Sequence, residues 1–348
     1  MILLESYAEA HIRELQQSSK RDPALLERTV YALGLLEALV KVNLPFVFKG
    51  GSCLLLLMDE PRRLSTDVDI IVATETDLDA YLEQVSMIFP FKDKEEQVRV
   101  GKNNIVKRHF KFTYDSPINN KPFYILLDVL FEENHYAETI TKEIRNDLLL
   151  TEPDYYSVTV PSADCILADK LTAFAPHTTG IPLNQKKDME VMKQLYDIIS
   201  LLDYFTDCDK VIDTYKAIAS AEIAYRDLDV DYTDCLWDAF NSAFCIASRG
   251  KFNPEEYKLY VKGIRDLRGH IYVENYTPEI AATRCIKVMY FVMCLLTGNE
   301  YKRIENENID VNYKISHKRL TSLNYLKKVS LEAYFYLILL DQIFLEEQ

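Results

Sequence analysis

Phe46-Val-Phe-Lys-Gly-Gly-Ser-Cys-Leu-Leu-Leu-Leu-Met-Asp-Glu-Pro-Arg-Arg-Leu-Ser-Thr-Asp-Val-Asp-Ile-Ile-Val72 is the stretch on which the reading of this chain turns. Pro45 to Phe48 predicts a short apolar strand, Gly50-Gly51 a turn, and Ser52 to Met58 a leucine-rich helix. Val68 to Val72 predicts a buried strand. Asp67 and Asp69 are two residues apart, so on a strand both carboxylates share a face. Two anions that close repel each other unless positive charge lies between them. A divalent metal is the usual answer, and a metal beside a glycine turn suggests nucleoside triphosphate chemistry.

Outward from this segment, residues 3–17 and 23–41 carry helical periodicity without internal proline, and 77–88 reads as a helix. Gln97–Val100, Val106–Tyr114 and Phe123–Phe131 read as strands. The turn formers of Ser116–Pro122 predict a hairpin between the last two. Pro161 and Ser162 open a helix that runs to about Ala175, and Pro176–Pro182 breaks it. From Gln185 onward the periodicity is helical, with breaks near 206, 228, 251, 269, 276 and 299. The expected architecture is an α/β (α+β) domain with a small mixed sheet and a helical N-terminal extension, over 1–160. An α-helical domain follows, over 161–348.

Composition sets bounds. The chain has 348 residues, 48% of them hydrophobic, enough for one large domain or two ordinary ones. A net charge of −14 argues against a general nucleic-acid coat, though not against a local basic groove. Seven scattered cysteines without a C-x-x-C pair suggest reduced thiols in a cytoplasmic protein. The N-terminus has no basic leader pattern. The apolar runs Val288–Leu296 and Tyr334–Leu340 read as core helices, too short for the ~20 residues of a membrane span. The six histidines show no metal-ligand spacing, and Trp237 and the 23 tyrosines are expected to pack helices.

Each candidate has a plain structural reading beside the functional one. Gly50-Gly51-Ser52 lets the backbone approach a phosphate at a helix N-terminus, or is a tight turn with an N-capping serine. Asp67 and Asp69 are a solvated strand edge or a metal pair. Asp128 sits inside Tyr124-Ile-Leu-Leu-Asp-Val-Leu-Phe131, where a charge needs a partner. That partner is either Arg108 or Lys111 on the preceding strand, or a metal shared with Asp67 and Asp69. Lys170, among Ile166, Leu167, Leu171 and Phe174, either snorkels to solvent or places a point charge on a triphosphate. Asp197 lies four residues after Lys193 and can simply pair with it. His177 reads as a surface-loop histidine.

The combined pattern resembles the polymerase-beta-like nucleotidyltransferases: a Gly-Ser turn, a helix, Asp-x-Asp on the next strand and a third acid on a later strand. Fourteen residues separate Ser52 from Asp67 here, slightly more than is usual. The closer resemblance is to the AbiEii/AbiGii-type toxin nucleotidyltransferases. It rests on Lys49-Gly50-Gly51-Ser52, Pro61-Arg62 and Leu64-Ser65-Thr66-Asp67-Val68-Asp69. Arg62-Arg63 holds one residue more than the common form, and either arginine can take the family position. Ile166-Leu-Ala-Asp-Lys-Leu-Thr-Ala173 is similar to a later family helix, with Lys170 at its lysine. Lys193-Gln-Leu-Tyr-Asp-Ile198 is similar to another, with Asp197 at its second acid. The resemblance covers roughly residues 22–205.

The resemblance implies transfer of a nucleoside monophosphate from an NTP to an acceptor hydroxyl. Two Mg2+ ions would be held by Asp67, Asp69 and Asp128. Nucleotide contacts would come from Lys49, Gly50, Gly51, Ser52, Arg62 and Lys170, and Lys170 and Asp197 would join the aspartates in catalysis. The implied acceptor is tRNA or another RNA, the implied partner a cognate antitoxin, and no membrane is involved. Two other readings stay open: nucleotidylation of a protein hydroxyl, and a binding module without activity.

Overall fold

The computed structural model describes residues 1–97, 107–304 and 309–347. Two compact units emerge, Met1–Ile166 with Gly269–Glu274, and Leu167–Arg268 with Asn275–Gln348. The second is therefore not one continuous run, because Gly269–Glu274, expected with the helical half, groups with the first. There His270 O accepts from Leu64 N at 2.7 Å and Tyr272 N donates to Arg62 O at 2.9 Å.

The first unit opens with a short 3-10 turn, Leu4–Tyr7, and helices α1 (Glu9–Ser19) and α2 (Pro23–Lys41). Asp22 caps α2 by accepting from Ala24 N at 2.7 Å, with Pro23 in the first turn, where its missing N–H costs nothing. Strand β1 (Val47–Lys49) leads to a single helical turn, α3 (Leu54–Leu57), then to β2 (Asp67–Val72) and α4 (Leu78–Ser86). The helix expected from Ser52 to Met58 is thus only four residues long. Leu54, Leu55 and Leu56 are buried because the turn itself is tucked into the core.

Strands β3 (Asp93–Gln97), β4 (Lys107–Ser116) and β5 (Lys121–Phe131) complete a five-stranded sheet of order β1-β2-β5-β4-β3. Of the strand expected at Gln97–Val100, only Gln97 is described; 98–100 lie outside the described residues, as does Val106. The β4–β5 hairpin forms at the expected turn. β2 and β5 pair in parallel and all other neighbours antiparallel, so the sheet is mixed. A second sheet of two strands, β6 (Thr139–Glu143) and β7 (Ser157–Pro161), was not anticipated, since both strands are short and Lys142 and Glu143 blur the alternation.

Alternation divides the large sheet into two faces. Phe48, Val68, Ile70, Phe110, Phe112, Tyr114, Ile125, Leu127 and Val129 are all buried, and α2 packs on β2 and β5. The opposite face carries Asp67, Asp69 and Asp128. One carboxylate lies deep on the covered side. Glu27 of α2 is 1% exposed and accepts from Tyr114 Oη (2.8 Å), Ser116 Oγ (2.8 Å) and Ile118 N (3.1 Å). Burial first, and the charge of Glu27 second, raise the Tyr114 phenol above its ordinary range, so it stays a donor.

Helix α5 (Ala163–Ala173) contains the boundary between the units. The second unit continues with α6 (Asp188–Leu201), α7 (Cys208–Arg226), α8 (Tyr232–Ala247), α9 (Pro254–Leu267), α10 (Pro278–Thr297) and α11 (Leu331–Glu346). α10 is its spine, packed against α8 and α11. It runs 20 residues, longer than its apolar run suggested, and is long and apolar enough to cross a bilayer; 61% of its apolar window is buried within the protein. Its neighbours explain that apolarity, since a helix apolar on all sides is a core helix when other helices cover it. Trp237 of α8 packs against Phe344 of α11 as expected, with ring centres 6.4 Å apart, and all seven cysteines are free thiols.

Glu27→Ala leaves three donors facing a void, and unpaired buried donors cost about 1–3 kcal/mol each. Urea unfolding should show a loss of at least about 2 kcal/mol, with Glu27→Gln losing less because its amide oxygen still accepts.

Candidate active site

Strand register sets the site. Lys49 of β1 is paired with Asp69 of β2, Asp69 with Asp128 of β5, and Asp128 with His109 of β4. Residues paired in register point to the same face, so the four form one row across four strands. Asp67 stands on the same face one pleat away from Asp69. A cavity of about 210 Å³ opens over the row, lined by Lys49, Asp69, Lys107, His109, Asp128 and Leu130.

Each carboxylate has cationic or polar company. Asp128 Oδ1 lies 2.7 Å from His109 Nδ1. Neither Arg108 nor Lys111 is the partner. Arg108 is on the other face of the strand and binds Asp79 and Glu96, at 2.8 and 2.7 Å, and Lys111 Nζ lies 4.6 Å over the Tyr124 ring. The geometry follows from the pleat: His109 is in register with Asp128, while Arg108 is one residue off and so points away. Asp67 Oδ1 takes a bond from Arg28 Nη2 of α2 at 3.5 Å, and Arg28 also lies over Phe123. Lys49 Nζ is 5.7 Å from the centre of the Tyr136 ring.

The glycine turn presses on this row. Gly50 has φ +76°, and a Cβ built on it would lie 2.1 Å from Asp69 Oδ2. A Cβ on Gly51 would meet the Arg63 guanidinium at 2.4 Å and Ser65 Oγ at 3.0 Å. Gly50 is therefore demanded both by its backbone and by the close approach of Asp69, whereas at Gly51 the Arg63 guanidinium would have to shift. Ser52, 1% exposed, does not cap a helix. Its hydroxyl donates to Asp67 O and bonds Ser65 Oγ at 2.9 Å, tying the turn to the start of β2. A single-turn helix has too few aligned peptides for a substantial dipole, so any phosphate affinity here rests on the turn's own N–H groups. Arg63, 6% exposed, is the arginine behind the turn; Arg62 precedes it, with its carbonyl bonded to Tyr272 N.

Lys170 and Asp197 meet each other in the second unit, with Nζ–Oδ2 at 3.1 Å and both side chains buried. The Lys193–Asp197 pairing is not formed; Lys193 binds Glu190 at 3.0 Å instead. Lys170 does not snorkel to solvent, because at 4% exposure its charge is met internally by Asp197.

The structure thus gathers Lys49, Gly50, Gly51, Ser52, Asp67, Asp69 and Asp128 at one end of the mixed sheet. His109 and Arg28 belong to the same assembly and were missed. His109 was legible in principle, as the β4 position in register with Asp128 once the hairpin turn is placed. Arg28 had no local signal. Among the described residues, no three His, Cys, Asp or Glu side chains converge to hold an ion unaided. The carboxylates do supply the hard oxygen donors that Mg2+ takes, and Mg2+ usually completes its shell with water and substrate phosphates rather than with an all-protein cage. On donor chemistry, the three aspartates fit that ion.

A glycine turn pressed on a carboxylate row in a small mixed sheet is the apparatus of a nucleotidyltransferase, and the chain is an enzyme of that class. It belongs to the family described as nucleotidyl transferase AbiEii toxin, type IV toxin–antitoxin system, whose profile matches residues 34–268. Among solved structures it is similar to JHP933 from Helicobacter pylori, at 13% identity and a TM-score of 0.45, over 78% of this chain and 94% of that one. It is also similar to an antigenic nucleotidyltransferase-like protein from Paracoccidioides brasiliensis, at 18% identity and a TM-score of 0.38, over 58% and 89%. No curated protein sequence matches it.

Two substitutions probe the arrangement. Gly50→Ala should lose about 1–2 kcal/mol from its left-handed backbone and push Asp69 out of the row, so urea unfolding and nucleotide transfer should both suffer. Asp197→Ala strands the Lys170 ammonium in the core and should cost about 3–5 kcal/mol, read by the same unfolding measurement.

Proposed function

We propose that this toxin-family enzyme moves a nucleoside monophosphate from an NTP to a hydroxyl of an RNA, tRNA in particular, with Mg2+ as cofactor. The observation that carries the reading is the register row Lys49–Asp69–Asp128–His109 beneath the glycine turn. In this reading Asp67, Asp69 and Asp128 hold two Mg2+ ions. When bound, such ions lower the pKa of the attacking hydroxyl and neutralise charge on the departing pyrophosphate.

The chain's own residues do the rest. Backbone N–H groups of Gly50 and Gly51 and the ammonium of Lys49 receive the triphosphate, with Arg62 and Arg63 behind the turn. Asp128 has one oxygen on His109, and its Oδ2 has no protein partner among the described residues. That oxygen takes the proton of the acceptor hydroxyl. The hydroxyl oxygen then attacks the α-phosphorus, and the bond to pyrophosphate breaks. Lys170 and Asp197 enter through the family pattern, with Asp197 fixing the lysine ammonium. Seven free thiols agree with a cytoplasmic setting, and family membership implies a cognate antitoxin.

The test is transfer from each of four labelled NTPs, with Mg2+ and total cellular RNA plus lysate protein. Label should appear on RNase-sensitive material and fall at least about 100-fold in Asp67→Asn or Asp69→Asn, the scale on which removing one transition-state stabiliser acts. Label on protease-sensitive material instead would make the acceptor a protein. Nucleotide binding without any transfer would point to an inactive module.

A further inference from the structure

The basic stretch Lys314–Lys328 plays no part in the carboxylate row. In the helical unit it brings Lys318 and Arg319 to a cavity of about 540 Å³ with an aromatic floor. Phe244 of α8, itself buried, stacks on Phe252, with ring centres 5.3 Å apart and planes at 20°. Phe252 is 60% exposed, so the ring face away from Phe244 is open to a ligand.

Cations surround this floor. The Arg319 guanidinium lies 4.9 Å over Phe244 and 5.0 Å over Phe240, and it donates to Asn241 Oδ1. Lys251 Nζ is 5.8 Å from the centre of the Phe252 ring. Among the described residues Lys251, Lys318 and Arg319 make no ion pair with a carboxylate. The one acid lining the cavity, Glu256, is already occupied: it lies 3.2 Å from His177 Nε2 and accepts from Tyr260 Oη at 2.8 Å and Asn253 Nδ2 at 2.7 Å. In a chain with 54 acidic residues against 40 basic ones, three uncompensated cations around an exposed ring call for a ligand that is both anionic and flat.

We infer that this cavity binds an unpaired nucleotide of a single-stranded RNA, with the base stacked on Phe252 and its phosphates beside Lys251, Lys318 and Arg319. Aromatic rings that stack bases, flanked by cations that follow the backbone, are how proteins hold single strands. Phe252 offers no hydrogen bond, so the stacking itself should tolerate any base. The inference rests on RNA being the acceptor and gives the helical unit its own RNA contact.

The test is fluorescence anisotropy of a dye-labelled single-stranded RNA with the full chain, measured without NTP. Phe252→Ala should weaken binding about tenfold, and Phe252→Trp should restore it. Lys318→Ala should lower the slope of log K against log salt by about 0.7, the share of one single-strand phosphate. Phe252 and Lys318 are exposed, so neither change threatens folding. Equal affinity for perfectly paired duplex RNA, or full affinity in Phe252→Ala, would overturn the inference. So would a poly-glutamate peptide competing as well as RNA, which would assign the cavity to an acidic protein partner. Transfer by the intact chain separates this inference from the functional reading: Phe252-dependent RNA binding by a chain that transfers label to no RNA would remove the acceptor role while keeping the site.

Discussion

Parallel pairing of β2 with β5 puts Asp69 beside Asp128, and the rest of the first unit answers that placement. Two carboxylates at about 5 Å repel by roughly 3 kcal/mol at an effective dielectric of about 20. A fold keeps such a pair only where cations or metal return the energy. His109 and Lys49 stand at the two ends of the row, and Arg28 reaches Asp67 from α2. The buried face of the same strands does the opposite work. Apolar side chains from Phe48 to Val129 hold the sheet on α2, so the carboxylates cannot relieve their repulsion by moving the strands apart. Stability is thus supplied by one face and held in readiness by the other.

The turn over the row obeys the same constraint. Gly50 is present because Asp69 occupies the space a side chain would need, and at Gly51 the tip of Arg63 comes as close. Ser52 then ties the turn to the carbonyl of Asp67 at the start of β2. Whatever binds the glycine N–H groups is held in fixed relation to the carboxylates. That relation matters in phosphoryl and nucleotidyl transfer, where positioning and electrostatics supply most of the rate.

Much of this was legible in the sequence, for identifiable reasons. Spacing of two on a strand puts Asp67 and Asp69 on one face, and a charge amid Ile125, Leu126, Leu127 and Val129 cannot go unpartnered. The hairpin was visible in its turn formers. What failed was long-range or tertiary. The helix after the glycines shrank to one turn, since an apolar run of leucines reads the same whether it is helical or merely buried. Asp128 found His109 rather than Arg108 or Lys111, because the partner depends on a register that the sequence does not state. Asp197 found Lys170 rather than Lys193 because helix packing outweighed a surface i,i+4 contact worth only about 0.2–0.5 kcal/mol. α10 ran past its apolar core by a capped turn at Thr277, whose hydroxyl accepts from Ile280 N at 3.3 Å.

An acidic enzyme of this kind cannot rely on its overall field to gather a polyanion. At net charge −14 that field repels RNA at long range. Screening confines each charge to about 8 Å at physiological salt, so what a strand meets is decided by local balance rather than by the total. Some surface cations are cancelled by neighbours: Arg108 by Asp79 and Glu96, Lys262 by Asp188, Lys287 by Asp203. The cations around Phe252 are not cancelled in this way. If RNA is the acceptor, repulsion everywhere else becomes a source of selectivity, because a strand would be held only where stacking and uncancelled charge coincide. Such binding should be weak and strongly salt-dependent.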